Sequence, residues 1–395
     1  MRSRFPRWAL AALVSLASVA SAAPPAGGGR FTPPHDELTP GQRARIDDEL
    51  ARNVAALERD GVLAPSSPLP PPLQAGLQWP LKITAGHADP AYHGISNFVD
   101  LDGTYPNHIL DWNCGTRTYD LDTGYNHAGI DIFLWPFSWL LMDQQAIDIV
   151  AAAPGIIIGK VDGNDDRSCL DHYSADWNAV YVQHGDGTVA WYGHMKKSSQ
   201  TSKPIGATVA AGEFLGKVGS AGFSTGPHLH FENHSGVSNY TILEPFHGAC
   251  NAPASLWAQQ RPYYDSAINK LATHTAPPDF HDPNCPNPID ETPNLSDRFL
   301  AGATVYFAAY YRDQLGPQAT TFTIARPNGT TFATWTFRMS DATADPYYSA
   351  SYWYWWYTLP ANAPPGMWQF RASYQGVAYE HAFFVGDVIF ADGYD

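Results

Sequence analysis

The spacing of histidines and carboxylates is the first feature of this sequence with chemical content. His127 and Asp131 stand four residues apart in His127-Ala-Gly-Ile-Asp131, and His228-Leu-His230 places two histidines two apart. In a strand, residues i and i+2 point to the same face. His228 and His230 would therefore line one side of a sheet, with Leu229 and Phe231 buried behind them. Trp191-Tyr192-Gly193-His194 adds a histidine at the end of a further strand. Two histidines and one carboxylate make a catalytic zinc set that leaves a fourth position open. Each motif alone is common by chance; their order and their glycine- or aromatic-rich settings make the combination informative. No HExxH occurs, so the glutamate base that accompanies that motif is missing. A histidine, whose unperturbed pKa suits neutral pH, must handle the proton.

These residues need a rigid sheet to hold them. Val180 to Val182 and Val189 to Tyr192 flank Gly185-Asp186-Gly187, a strong hairpin signal. Ile147 to Ile158 is apolar and β-branched around Pro154-Gly155, and Val209 to Val218 continues the β pattern. An antiparallel sheet over residues 77–275 is expected, with the chemistry on one face. A Pro-rich linker, 276–298, follows. Residues 299–387 contain the strand-like runs Thr304 to Tyr311, Thr320 to Arg326, Tyr352 to Leu359, Met367 to Tyr374 and Val377 to Val385, which predict a small Ig-like β-sandwich. Alternate members of the aromatic run Tyr347 to Tyr357 fill its core. Residues 388–395 form a tail. Asp162-Gly-Asn-Asp-Asp166 reads as an Asx/Gly turn rather than a calcium loop, because the downstream glutamate is missing.

The start of the chain carries the marks of export. Arg2, Arg4 and Arg7 precede an uncharged apolar run, Trp8 to Val19, and Ala20-Ser21-Ala22 offers a cleavage site, so residues 1–22 read as a signal peptide. The run is too short to span a bilayer. In residues 23–76, Pro24 to Pro34 is expected to be disordered. Leu38 to Asp60 is a helix opened by Thr39-Pro40, with Ile46, Leu50, Val54 and Leu57 at helical spacing. Ala64 to Leu73 is a Pro-rich linker. This region is either a spacer or an inhibitory pro-region. A formal charge of −15 disfavours nucleic acid and anionic membranes as partners. Four cysteines in an exported chain suggest disulfides. Proximity in sequence favours Cys114–Cys169 and Cys250–Cys285 among three possible pairings.

Five stretches together resemble a known family. They are Asn126-His-Ala-Gly-Ile-Asp131, Val182-Gln-His-Gly-Asp-Gly187, Tyr192-Gly-His194, Gly212-Glu-Phe-Leu-Gly-Lys-Val-Gly219 and Gly226-Pro-His-Leu-His-Phe-Glu232. The chain resembles, over residues 80–245, the lysostaphin/LytM-type zinc metallopeptidases, which include staphylolytic and β-lytic enzymes. The resemblance implies a mainly β metallopeptidase domain binding one Zn2+ through His127, Asp131 and His230. His194 and His228 are then the unliganded catalytic histidines. Zinc in such a set supplies Lewis acidity and a nucleophile at neutral pH. His228 is expected as general base and His194 as the group that stabilises the oxyanion. Glu232, on the same strand face as His230, either supports that ligand or makes an ordinary sheet salt bridge. The implied substrate is a peptidoglycan cross-link or glycine-rich peptide. The alternatives are a non-catalytic regulator of wall enzymes on the same fold, and a peptidase acting on proteins.

Overall fold

The computed structural model describes residues 23–64, 76–87, 89–168, 176–280 and 291–387. The expected signal peptide, most of the first Pro-rich linker, residues 281–290 of the second, Cys169, Cys285 and the C-terminal tail lie outside these residues. Among the described residues no helix is long and apolar enough to cross a membrane.

The N-terminal segment contains β1 (Gly27–Arg30) and α1 (Pro40–Arg59). Thr39 and Gln42 close a capping box at the start of α1: the Thr39 N–H donates to Gln42 Oε1 at 3.0 Å, and the Gln42 N–H donates to Thr39 Oγ1 at 3.3 Å. Next come β2 (Leu81–Ile83), β3 (His93–Asn97), β4 (Ile130–Leu134), α2 (Ser138–Asp143), β5 (Ile147–Val150) and β6 (Gly155–Val161). They are followed by β7 (Ala179–His184), β8 (Val189–Tyr192), β9 (Thr208–Val209), β10 (Phe214–Lys217) and β11 (His228–His234). The chain continues with β12 (Ala267–His274), β13 (Arg298–Phe299), β14 (Thr304–Leu315) and β15 (Ala319–Ala325). β16 (Thr331–Arg338), β17 (Tyr347–Thr358), β18 (Gly366–Tyr374) and β19 (Val377–Val385) complete it.

A seven-stranded sheet, ordered β3-β4-β11-β8-β7-β6-β9, is antiparallel throughout. Ile130, Ile132, Val180, Val182, Leu229 and Phe231 from this sheet share one core with Leu81, Ile147, Ile149 and Leu215 of the three-stranded sheet β10-β5-β2. Alternation along the strands then sends Asp131, Tyr181, Trp191, His228 and His230 to the other face. Leu50, Val54 and Leu57 of α1 pack there, against Ile158, Tyr181 and Trp191. The helix stripe read from the sequence is thus buried on the face that carries the chemistry.

The C-terminal region is a β-sandwich. The sheets β13-β19-β18-β15-β16 and β1-β17-β14-β12 share a core of Phe307, Phe322, Trp335, Trp353, Trp355, Trp368 and Phe370. The aromatic run alternates as expected: Trp353 and Trp355 are buried, and Trp356 is 56% exposed. Two strands of the second sheet come from outside residues 299–387. β12 lies before the expected boundary at residue 275 yet pairs with β14, and β1 pairs with β17. The expectation that Pro24 to Pro34 is disordered is therefore overturned. Its composition offers no core of its own, but the edge of β17 supplies backbone partners. The preferred disulfides are also corrected. Cys114 is bonded to Cys250, which excludes both Cys114–Cys169 and Cys250–Cys285. Trp112 stacks on Phe246 at 5.2 Å and its carbonyl accepts the Cys250 N–H at 2.9 Å, so packing joins loops distant in sequence.

The sandwich is fastened to the seven-stranded sheet by more than a linker. Phe133, Trp135 and Phe137 pack against Ala308, Tyr310 and Ala350. Arg117 donates to Asp313 at 3.0 Å in a pair that is nearly dry on both sides. Removing one member of such a pair strands the other charge. Asp313→Ala is expected to lower unfolding stability by about 3–5 kcal/mol, read from denaturant midpoints at constant slope. A loss well under 1 kcal/mol would mean that water already reaches the pair.

Candidate active site

Register places the site. β11 pairs with β4 so that His230 faces Asp131, and with β8 so that Glu232 faces Trp191. His228, His230, Glu232 and His234 follow at every second position and share one face. His127 enters from the loop before β4. His194 follows β8 with φ +57, its backbone turning back as the Gly193 N–H donates to the His230 carbonyl at 2.9 Å. All five residues singled out from the sequence, His127, Asp131, His194, His228 and His230, are buried together.

The ring orientations are fixed by outer partners. His127 Nδ1 lies 2.7 Å from the Phe98 carbonyl, which leaves Nε2 facing Asp131 Oδ1 at 3.1 Å. His230 Nε2 lies 2.8 Å from Glu232 Oε1, which leaves Nδ1 at 3.0 Å from Asp131 Oδ1. Asp131 Oδ2 accepts from Asn97 Nδ2 at 2.9 Å. The inner atoms thus converge while each outer atom is held, the arrangement that orients metal ligands. His127 Nε2 is buried and has no hydrogen-bond partner. Glu232 thus serves His230 rather than an ordinary cross-strand pair.

A fourth group was not legible in the sequence. Asp36, just ahead of α1 and fully buried, places Oδ2 3.0 Å from His230 Nδ1 and 2.9 Å from His194 Nε2. Asp36, His127, Asp131 and His230 can each offer one atom, all within 4.8 Å of one another. Two carboxylates and two imidazoles match the charge and the nitrogen–oxygen preference of a divalent zinc-like ion. Tyr125 donates to Asp36 Oδ1 at 3.2 Å, and Tyr119 also donates to it. No spacing rule links Asp36 to a motif that begins ninety residues later. Burial pushes its carboxyl up, but the neighbouring imidazoles of His230 and His194 prevail and hold it well below the usual range.

The remaining two histidines differ. His228 directs Nδ1 to the Gly226 carbonyl at 2.8 Å, and its Nε2 is buried without a partner, 3.6 Å from Asp131 Oδ1. Burial and then the neighbouring His194 push it down to about 4, so the ring is neutral with a bare Nε2. His194 faces acceptors at both nitrogens, the Ala221 carbonyl at 2.6 Å and Asp36.

A further layer ties α1 to this centre. Arg43 clasps Glu232 with two parallel bonds of 2.8 Å. Burial pushes the Glu232 carboxyl up, and Arg43, His230 and His234 together hold it well below its ordinary range. His234 bonds Glu232 at 2.6 Å. His184 is structural, with Nδ1 2.9 Å from the Pro154 carbonyl. Asp162 is a turn residue whose Oδ1 accepts the N–H groups of Gly163 and Ser198.

The site is thus a buried HxxxD and HxH cluster on an antiparallel sheet, with donor atoms that could hold a metal ion. Residues 126–241 match the model of peptidase family M23. The chain is similar to the glycyl-glycine endopeptidase ALE-1 of Staphylococcus capitis, at 41% identity over 148 residues, 35% of this chain and 35% of that protein. It is also similar to the DD-carboxypeptidase/endopeptidase Mpg of Neisseria meningitidis, at 34% identity over 97 residues, 24% of this chain and 22% of that protein. The chain thus spans about a fifth to a third of the length of these curated relatives. Among solved structures, the catalytic domain of the prophage-encoded M23 protein EnpA from Enterococcus faecalis aligns with 40% of this chain and 92% of its own, at 24% identity and a TM-score of 0.26.

Proposed function

We propose that the chain is an exported zinc endopeptidase that hydrolyses peptidoglycan cross-links or glycine-rich peptides, and that residues 23–64 hold it latent. The observation that carries the reading is the buried convergence of His127 Nε2, Asp131 Oδ1 and His230 Nδ1, each with its outer atom already engaged. These three residues would hold the ion, which supplies Lewis acidity and a nucleophile at neutral pH when bound. His228 Nε2, bare and held by the Gly226 carbonyl behind it, takes the proton from the attacking water. His194, held at Nδ1 by the Ala221 carbonyl and facing Asp36 with Nε2, turns Nε2 toward the developing oxyanion once Asp36 has left. The substrate class is supported by the relatives, whose names include a glycyl-glycine endopeptidase and a peptidoglycan DD-endopeptidase of Vibrio cholerae.

Latency is supported by Asp36, whose Oδ2 lies 3.0 Å from His230 Nδ1 and 2.9 Å from His194 Nε2, where water or substrate would have to reach a bound ion. The direct test is metal analysis of the purified chain, followed by digestion of purified peptidoglycan with new termini identified by mass spectrometry. One zinc per chain and new peptide termini that disappear on chelation are expected. Undiminished cleavage after exhaustive chelation would overturn the metal assignment, and intact cross-links after removal of residues 23–64 would overturn the substrate.

A further inference from the structure

The N-terminal strand is made almost entirely of glycine. β1 reads Gly27-Gly28-Gly29-Arg30 and pairs antiparallel with β17, Gly27 opposite Tyr354 and Arg30 opposite Ser351. The Ala26 N–H donates to the Tyr354 carbonyl at 2.8 Å, and the Phe31 N–H to the Ala350 carbonyl at 3.0 Å. Glycine in a strand interior is unfavourable, because it has no side chain to pack and the most backbone freedom to lose. Here the partner surface requires it at Gly28 and disfavours a side chain at Gly27, while a Cβ on Gly29 would meet nothing. Gly28 has φ +124, and a Cβ there would lie 2.8 Å from Trp353 Cα and closer still to the Tyr352 carbonyl oxygen. Both are backbone atoms fixed within a sheet. A Cβ on Gly27 would run into the Tyr354 ring.

The surface beneath is an ordinary sheet edge. β17 has β14 on its other side and is twelve residues long, and only four of them face β1. Such edges accept added strands: main-chain bonds give affinity, and the fit at alternate positions gives selectivity. Past β1 the same chain continues through Phe31, 4.6 Å from Trp135, and along a cavity of about 330 Å³ beside Thr225 and Gly226 to Asp36. One chain path thus joins the glycine strand to the metal-ligand cluster.

We infer that the β17 edge of the sandwich is a binding site for extended glycine-rich peptide, occupied in this state by the protein's own triglycine. The inference builds on the peptidase reading for its use, since it would hold a glycine-rich substrate beside the catalytic domain. The binding itself is measured without hydrolysis.

The test uses two full-length variants that vacate the edge, Gly28→Val and a deletion of residues 24–29 that keeps Phe31, Asp36 and α1. Hydrogen exchange is followed on residues 347–358, with capped pentaglycine as probe and capped pentaserine as control. Both variants should exchange faster than the parent at residues 350–354. Pentaglycine at about ten times its dissociation constant should slow that exchange about tenfold, and pentaserine should leave it fast. If Gly28→Val unfolds, the deletion alone decides. An edge that pentaglycine leaves unprotected is a latch for its own segment only, and equal protection by pentaserine means that it does not select glycine; either result overturns the inference. Mass spectrometry of the same samples shows whether the peptide is cut, so a failed peptidase reading is seen separately from a failed binding site.

Discussion

His230→Ala is expected to lose metal and hydrolysis together, whereas His228→Ala keeps its metal and loses turnover by about 10²- to 10⁴-fold. The two side chains share a strand face and are equally buried, so burial does not separate them. Their partners do. His230 is held from behind by Glu232 and turns Nδ1 into the cluster with Asp131 and Asp36. His228 is held from behind by a carbonyl and presents a bare Nε2. The measurement is zinc content beside turnover on one soluble peptide. A His228→Ala protein that emerges without metal while His230→Ala retains it would reverse the assignment.

Replacing Asp36 with alanine in the otherwise intact chain should raise hydrolysis of a soluble glycine-rich peptide on the order of 10- to 100-fold, the usual range of coupling between two sites. The carboxylate lies within hydrogen-bond distance of both His194 Nε2 and His230 Nδ1, so substrate must displace it before either ring can work. The gain stays below that of removing the whole segment, because α1 remains docked through Arg43 and through Leu50, Val54 and Leu57. Asp36→Asn keeps the shape and loses the charge, and should fall between the parent and the alanine variant. Equal rates in all three proteins would remove Asp36 from any role in latency. A fall in rate would make it a working ligand instead.

What could be read from the sequence was local. His228 and His230 belong to one strand, His127 and Asp131 to one turn and strand, and two-residue alternation predicts where such side chains point. The α1 stripe and its Thr39 cap were legible for the same reason. Asp36 was not, since it reaches the cluster through the path of an irregular segment that no periodicity describes. Arg43 escaped notice because an arginine on a helix is most often solvated, and only its docking on Glu232 gives it meaning. Cys114 and Cys250 mislead in the other direction: closeness along the chain suggested other partners, while aromatic packing around Trp112 and Phe246 decided the pairing. Composition made Gly27 to Gly29 look unstructured, yet they pair with β17, and at Gly28 the β17 backbone leaves no room for a Cβ.

Glu232 receives Arg43 on one side and His230 on the other. A single carboxylate is therefore shared between the docking of α1 and the aiming of the His230 ring, and Asp36 adds a second such link. In thermodynamic terms the two events are reciprocal: whatever free energy the ion gains from the docked segment, the segment gains from the ion. Under the proposed function, loading the ion would then tighten the latent form. Under the proposed function, maturation that removes the segment would leave an enzyme that is more reactive and also more readily stripped of its ion. Such a protein is best assembled in full before it is opened, which gives the order of its biogenesis a physical basis.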